Sequence, residues 1–192
     1  MARLIVVLAG CVALGAISCD RPNVLFPRFE RDHITTSAIL GTVGDLAAAS
    51  LAGLPAGEVD LDAACPGGGN AHISGTLGAP DGSSFDLTID LSGCRSTHSM
   101  SGGMVSATLT LDGSLRLRRD LEPQTGWGTE QYTADRLALD GTIQSWGEQA
   151  SIDKSCVFEI KIEDTETSGA VVGTLCERPV SWSYRHASCT YE

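Results

Sequence analysis

Lysine is almost missing from this chain. Only Lys154 and Lys161 accompany the arginines, and the 13 Lys+Arg face 24 Asp+Glu for a formal net charge of −11. Neutralising nucleic-acid phosphates requires clustered cations, so nucleic acid is excluded as a partner. Aromatic residues are scarce as well, at 5% of 192 positions, which leaves a core to be built mainly from small aliphatic side chains. A hydrophobic share of 42% suffices for such a core and excludes wholesale disorder. Catalytic motifs are also missing: the sequence contains no G-x-S-x-G elbow, Walker A loop, G-x-G-x-x-G, H-E-x-x-H or EF-hand. No Cys-x-x-Cys or Cys/His cluster has zinc spacing. The expectation is a single domain that is not an enzyme and holds no metal and no cofactor.

What is present begins with an address. Residues 1–18 read as a secretory signal, with Arg3 as the positive region and Leu4 to Ile17 as an uncharged apolar stretch followed by small residues. The stretch meets Cys19, Asp20 and Arg21 before reaching the roughly 20 residues that a membrane-spanning helix needs. No second run of that length follows, so nothing else in the chain is expected to cross a membrane. Within this segment Ala16-Ile17-Ser18-Cys19 resembles the lipobox of bacterial lipoproteins, with Ala16 where Leu is commonest. Leu8-Ala9-Gly10-Cys11 matches the letters better but leaves only Leu4 to Leu8 as the apolar region, below the roughly 7 residues of a working signal. The resemblance implies that Cys19 is acylated and becomes the mature N-terminus. It also implies that the membrane is a partner through the lipid anchor and that the protein resides in the cell envelope, on the inner or outer membrane. Asp20 resembles the inner-membrane retention signal of enteric bacteria, and the leaflet stays open. The alternative is an ordinary cleaved signal that releases a periplasmic product.

Seven cysteines are present. Cys11 leaves with the signal and Cys19 takes lipid, so Cys65, Cys94, Cys156, Cys176 and Cys189 remain. In an oxidising compartment scattered cysteines read as disulfides. Cys65 and Cys94 bracket one predicted hairpin and form the first expected pair. Cys156 and Cys176 lie about equally far from a turn near Glu166 and form the second, although they are out of step in the apolar alternation. Cys156 to Cys189 competes with it; otherwise Cys189 is left over.

Residues 19–32, with Pro22, Pro27 and mixed charges, suit a tether. Residues 33–192 form the domain. From Asp32, a plausible N-cap, Ile39, Val43, Leu46, Ala47 and Leu54 follow one helical face, which predicts a helix to about Ser50. Cys65-Pro66-Gly67-Gly68-Gly69 breaks regular structure, and beyond it the period changes to two. Phe85 to Leu91, Leu109 to Leu117, Leu137 to Ile143 and Phe158 to Ile162 each alternate apolar with polar residues, as antiparallel strands with one wet face do. An apolar-x-Gly-Ser/Thr-apolar pattern places Gly75, Gly113, Gly141 and Gly173 in these strands, 38, 28 and 32 residues apart. Asp112-Gly113 and Asp140-Gly141 read either as hairpin turns or, preferably, as bends within continuous strands. The fold class is therefore mainly β: an antiparallel, Gly-bent meander forming a barrel or half-barrel, or alternatively a sandwich, with one N-terminal helix.

Candidate chemistry is sparse. Asp86 and Asp90 share a strand face and could be a carboxylate pair, against the blander reading of a wet surface. His33, His72, His98 and His186 are isolated in sequence; His98 has hydroxyls nearby, although a solvated loop histidine is the plainer reading. Glu163, Asp164 and Glu166 suggest a weak Ca²⁺ turn or simply a wet one. Trp127, Trp146, Trp182 and Tyr132 suggest an aromatic platform or core packing. Three functional expectations follow. The first is a non-enzymatic envelope lipoprotein acting by binding or structural contact with a protein or small molecule. The second is a lipocalin-like carrier with a roomy apolar interior, and the third an envelope hydrolase using Asp86, Asp90 or His98.

Overall fold

The computed structural model describes residues 27–100, 103–145 and 147–185, with side chains from residue 31 onward. One helix, α1 (Pro27–Leu51), precedes eight strands: β1 (Gly57–Ala64), β2 (Asn70–Leu77), β3 (Ser84–Met100), β4 (Val105–Leu121), β5 (Gly128–Ser145), β6 (Glu148–Asp164), β7 (Ser168–Leu175) and β8 (Arg178–Arg185). The strands form a single antiparallel sheet in sequence order from β1 to β8. β1 and β8 are its edges, so the meander stays open rather than closing as a barrel.

α1 begins earlier than the sequence pattern predicts. Pro27 lies in its first turn, where the missing N–H costs nothing and the fixed φ favours a helix. Asp32 is consequently an interior residue rather than an N-cap, and residues 27–32 belong to the helix rather than to a tether. Its buried stripe runs Ile34, Ala38, Ile39, Val43, Leu46, Ala47 and Leu51, the spacing of one helical face. Each large aliphatic side chain so buried contributes about 1.5–3 kcal/mol, which offsets the cost of Gly41 and Gly44. Gly53, at φ 79°, ends the helix in the left-handed conformation, and Leu54 N–H donates to the Leu51 carbonyl at 3.1 Å. Leu54 thus lies past the helix rather than on its face. By length and composition Arg31–Leu51 could cross a membrane, but 61% of its most apolar window is buried within the protein. It is packed as a core helix.

The four central strands are 17 or 18 residues long and their neighbours 8. The sheet therefore has an upper half of eight strands and a lower half of four. The halves meet at bulges between Leu91 and Cys94, Gly113 and Arg116, and Ala134 and Leu137. Leu91, Gly113 and Leu137 are register partners across β3, β4 and β5, so the bulges share one line and bend all three strands together. Asp112 fixes this corner by accepting the Gly93 N–H at 2.6 Å. Asp112-Gly113 and Asp140-Gly141 lie inside continuous strands. Gly75, Gly113, Gly141 and Gly173 all hold φ between 123° and 153°. At Gly173 a Cβ would run into the Glu159 carbonyl oxygen of the adjacent strand, so the recurring glycine marks close backbone approach.

The inner face carries the core. Leu87, Ile89, Leu115, Leu117, Phe158 and Ile160 are at most 1% exposed. α1 crosses this face, where Ser96 Oγ donates to the Ala38 carbonyl at 2.9 Å. Near the line where the halves meet, Cys65 is joined to Cys94, with Cα atoms 5.5 Å apart, and Cys156 to Cys176, with Cα atoms 4.7 Å apart. Cys176 sits beyond the β6–β7 ladder in the turn to β8, at φ 52°. Strand alternation no longer governs its direction there, and the mismatch in apolar phase is resolved.

Candidate functional site

Three places bring polar groups together, and each follows from strand register. On the outer face Asp62, His72 and Asp90 are opposite one another across β1, β2 and β3. His72 Nδ1 lies 3.0 Å from Asp62 Oδ1, and Nε2 lies 3.6 Å from Asp60. The hydrogen bond to Asp62 raises the His72 pKa, with Asp60, Asp62 and Asp90 adding to the effect. Asp62, His72 and Asp90 border an open groove of about 660 Å³ that Asn70 and Ser92 also line. Asp90 thus faces His72 and not Asp86. Asp86 accepts both the Nε and Nη2 donors of Arg116, at 2.7 and 2.6 Å, a bidentate pair that lowers its pKa. The register separates the two carboxylates that share a strand face in the sequence.

The second place lies between α1 and β3, where a hollow of about 250 Å³ is lined by Thr42, Asp45, Arg95, Ser96, Thr97 and His98, among others. Pro66 and Gly67 also line it, in the loop that the Cys65–Cys94 disulfide holds against β3. His98 belongs to strand β3 and is half-buried, not a solvated loop residue. Burial lowers its pKa, while the Asp45 charge acts in the opposite direction. Ser96 is engaged with the Ala38 carbonyl, so its hydroxyl serves the helix contact.

The third is the mouth of the upper half. Arg119 and Glu130, direct register partners on the inner face, form an ion pair at 2.9 Å and are both about one-fifth exposed. Arg119 also stacks over the Phe85 ring at 4.7 Å. Tyr132 Oη donates to Glu130 at 2.6 Å, and burial pushes the Tyr132 pKa well up. Close by, Tyr184 Oη donates to Asp164 at 2.7 Å. Below this mouth the interior is filled by the protein's own aliphatic side chains.

Among the described residues the candidate aromatics do not make one platform. Tyr132 is 2% exposed in the core, Trp182 on β8 packs against the His33 ring with centroids 4.1 Å apart, and Trp127 belongs to the chain between β4 and β5. In the proposed calcium turn Glu163 pairs with Lys161 and Asp164 takes the Tyr184 proton donor. Among the described residues no group of three or more His, Cys, Asp or Glu is placed to hold a metal ion. The signal at residues 1–18, Cys19, Asp20, Trp146, His186 and Cys189 lie outside the described residues. Sequence reasoning missed the Arg119–Glu130–Tyr132 cluster and the partners of His72; Glu130 and Tyr132 are two residues apart on β5, but only strand register, which single-strand alternation does not reveal, brings Arg119 to Glu130 and Asp62 to His72.

No family model matches this chain, and no curated protein or solved structure matches it either.

Proposed function

We propose that this chain is a lipid-anchored protein of the bacterial cell envelope, acylated on Cys19, with a non-enzymatic binding or structural role. The two disulfides carry the reading. Such bonds persist in oxidising compartments and are rare in the cytosol, which agrees with a secretory signal that ends on a cysteine. The polar groups support a structural role over catalysis, because Asp86 is committed to Arg116 and Ser96 to the helix backbone. Two or three acyl chains, at about 0.8 kcal/mol per buried methylene, hold a protein at a bilayer durably. The test is metabolic labelling with a clickable fatty acid followed by membrane fractionation. Wild-type protein should carry label and sediment with membranes, and Cys19→Ser should lose both. Label retained by Cys19→Ser, or a wild type that stays unlabelled and soluble, removes the reading.

A further inference from the structure

We infer that the two edges of the sheet bind each other between molecules: β8 of one copy pairs antiparallel with β1 of a second, joining copies head to tail through a continuous sheet. The inference goes beyond the lipid-anchored reading and does not depend on it. Among the described residues no strand pairs with the outer side of β1 or β8, and an edge strand presents a row of unsatisfied N–H and C=O groups. Strand direction suits the join. In an antiparallel meander of eight strands β1 and β8 run opposite ways, so a second β1 laid beside β8 continues the alternation. The contact uses a different patch on each partner and therefore repeats, as a ring or a filament.

The two edges also match in length, face and charge. Both have eight residues and the same order of burial: Val59 and Val180 are buried, Leu61, Ala63, Trp182 and Tyr184 are half-buried, and the others are exposed. The half-buried side chains gain cover from a further strand. Because faces must match, register is restricted. Setting Gly57 opposite Arg185 overlaps all eight residues but puts buried Val59 against exposed Ser183. A shift of one residue corrects this, with Val59, Leu61 and Ala63 opposite Tyr184, Trp182 and Val180. On the other face Glu58, Asp60 and Asp62 then meet Arg185, Ser183 and Ser181. The opposite shift leaves Arg185 beyond the end of β1. Pro179, which has no N–H for the ladder, falls at its end opposite Ala64. β1 carries three carboxylates and no cation, whereas β8 carries Arg178 and Arg185 and no carboxylate. Arg178 reaches Asp32 of its own chain, and Arg185 answers Glu58 of the second copy. Two β1 edges brought together would set carboxylate against carboxylate, which destabilises a strand pair.

A benzophenone amino acid in place of Ser183 tests the pairing in the full-length chain, irradiated in intact cells that produce it. The expected product has twice the mass of the chain, and its joined peptides link position 183 to β1 around Asp60. Arg185→Glu should reduce that product several-fold, and Glu58→Arg added to the same chain should restore it, which also shows that the reversed chain folds. A link from position 183 to β1 of the same chain, to β8 of a second copy or to another protein overturns the inference. So does the lack of any adduct, an Arg185→Glu chain that cross-links as before, or a double variant that stays reduced.

Discussion

Asp32 in α1 and Arg178 at the start of β8 meet at 2.5 Å, so the first turns of the helix are tied to the last strand of the sheet. Burial nevertheless raises the Asp32 pKa, and the attraction of Arg178 and Lys154 does not cancel it. The ionised carboxylate is less favoured in the fold than in water, and the pair fixes position more than it stabilises.

Removing the charge should therefore matter little. Asp32→Asn is expected to change unfolding free energy by less than about 1 kcal/mol in urea titrations. Arg178→Ala should cost more, because it leaves Asp32 partly buried without its partner. Equal and large losses from both substitutions contradict this ordering.

Two glycines should respond with opposite sign. Gly41 lies inside α1, where a Cβ meets nothing within 4 Å, so Gly41→Ala should stabilise by about 0.5–1 kcal/mol through helix propensity alone. Gly173, at φ 153° against the Glu159 carbonyl, has no such room. Gly173→Ala should destabilise by roughly 2 kcal/mol or more, read as a lower melting temperature in scans that raise it for Gly41→Ala.

Stability should fall as pH falls, and His33 is one identifiable cause. Burial, with His98 nearby as a second cause, lowers its pKa from 6.5 to about 4. The unfolded chain then takes up a proton near pH 6.5 that the fold resists until about pH 4. Stability is intact above the higher value, declines between the two, and changes no further from this group below the lower one. The loss is on the order of 2–3 kcal/mol. His33→Phe keeps a ring against Trp182 and should flatten the urea midpoint between pH 7 and pH 4.5; an unchanged slope excludes His33 as the titrating group.

Each disulfide should act on its own edge of the sheet. Loops of 29 and 20 residues correspond to about 3–4 kcal/mol apiece in the chain-entropy estimate. Replacing Cys156 and Cys176 together by Ser should speed amide exchange in β7 and β8 first, since β7 pairs with β6 only from Phe158 to Asp164. Replacing Cys65 and Cys94 should loosen β1, β2 and the walls of the small hollow first. Uniform loss of protection in both variants contradicts this separation.

The long strands were legible because Phe85 to Leu91 and Phe158 to Ile162 alternate cleanly, and the bent-strand reading of Asp112-Gly113 rested on alternation continuing through it. β1 was not identified, although Val59 and Leu61 alternate with Glu58, Asp60 and Asp62. It directly follows an Ala-rich helix, and small residues carry little periodic signal. Pro27 reads as part of the tether because Pro in loops and Pro in a first helical turn look alike without the backbone. Arg119 was beyond reach for a different reason: its partner Glu130 lies on another strand and comes opposite it only once register is fixed.

Native mass spectrometry of the protein, extracted gently from its own membranes, tests the lipid-anchored reading most directly. The expected spectrum shows a mature chain beginning at Cys19, carrying acyl mass and containing both disulfides. A chain without acyl mass, or one that retains residues 1–18, contradicts it.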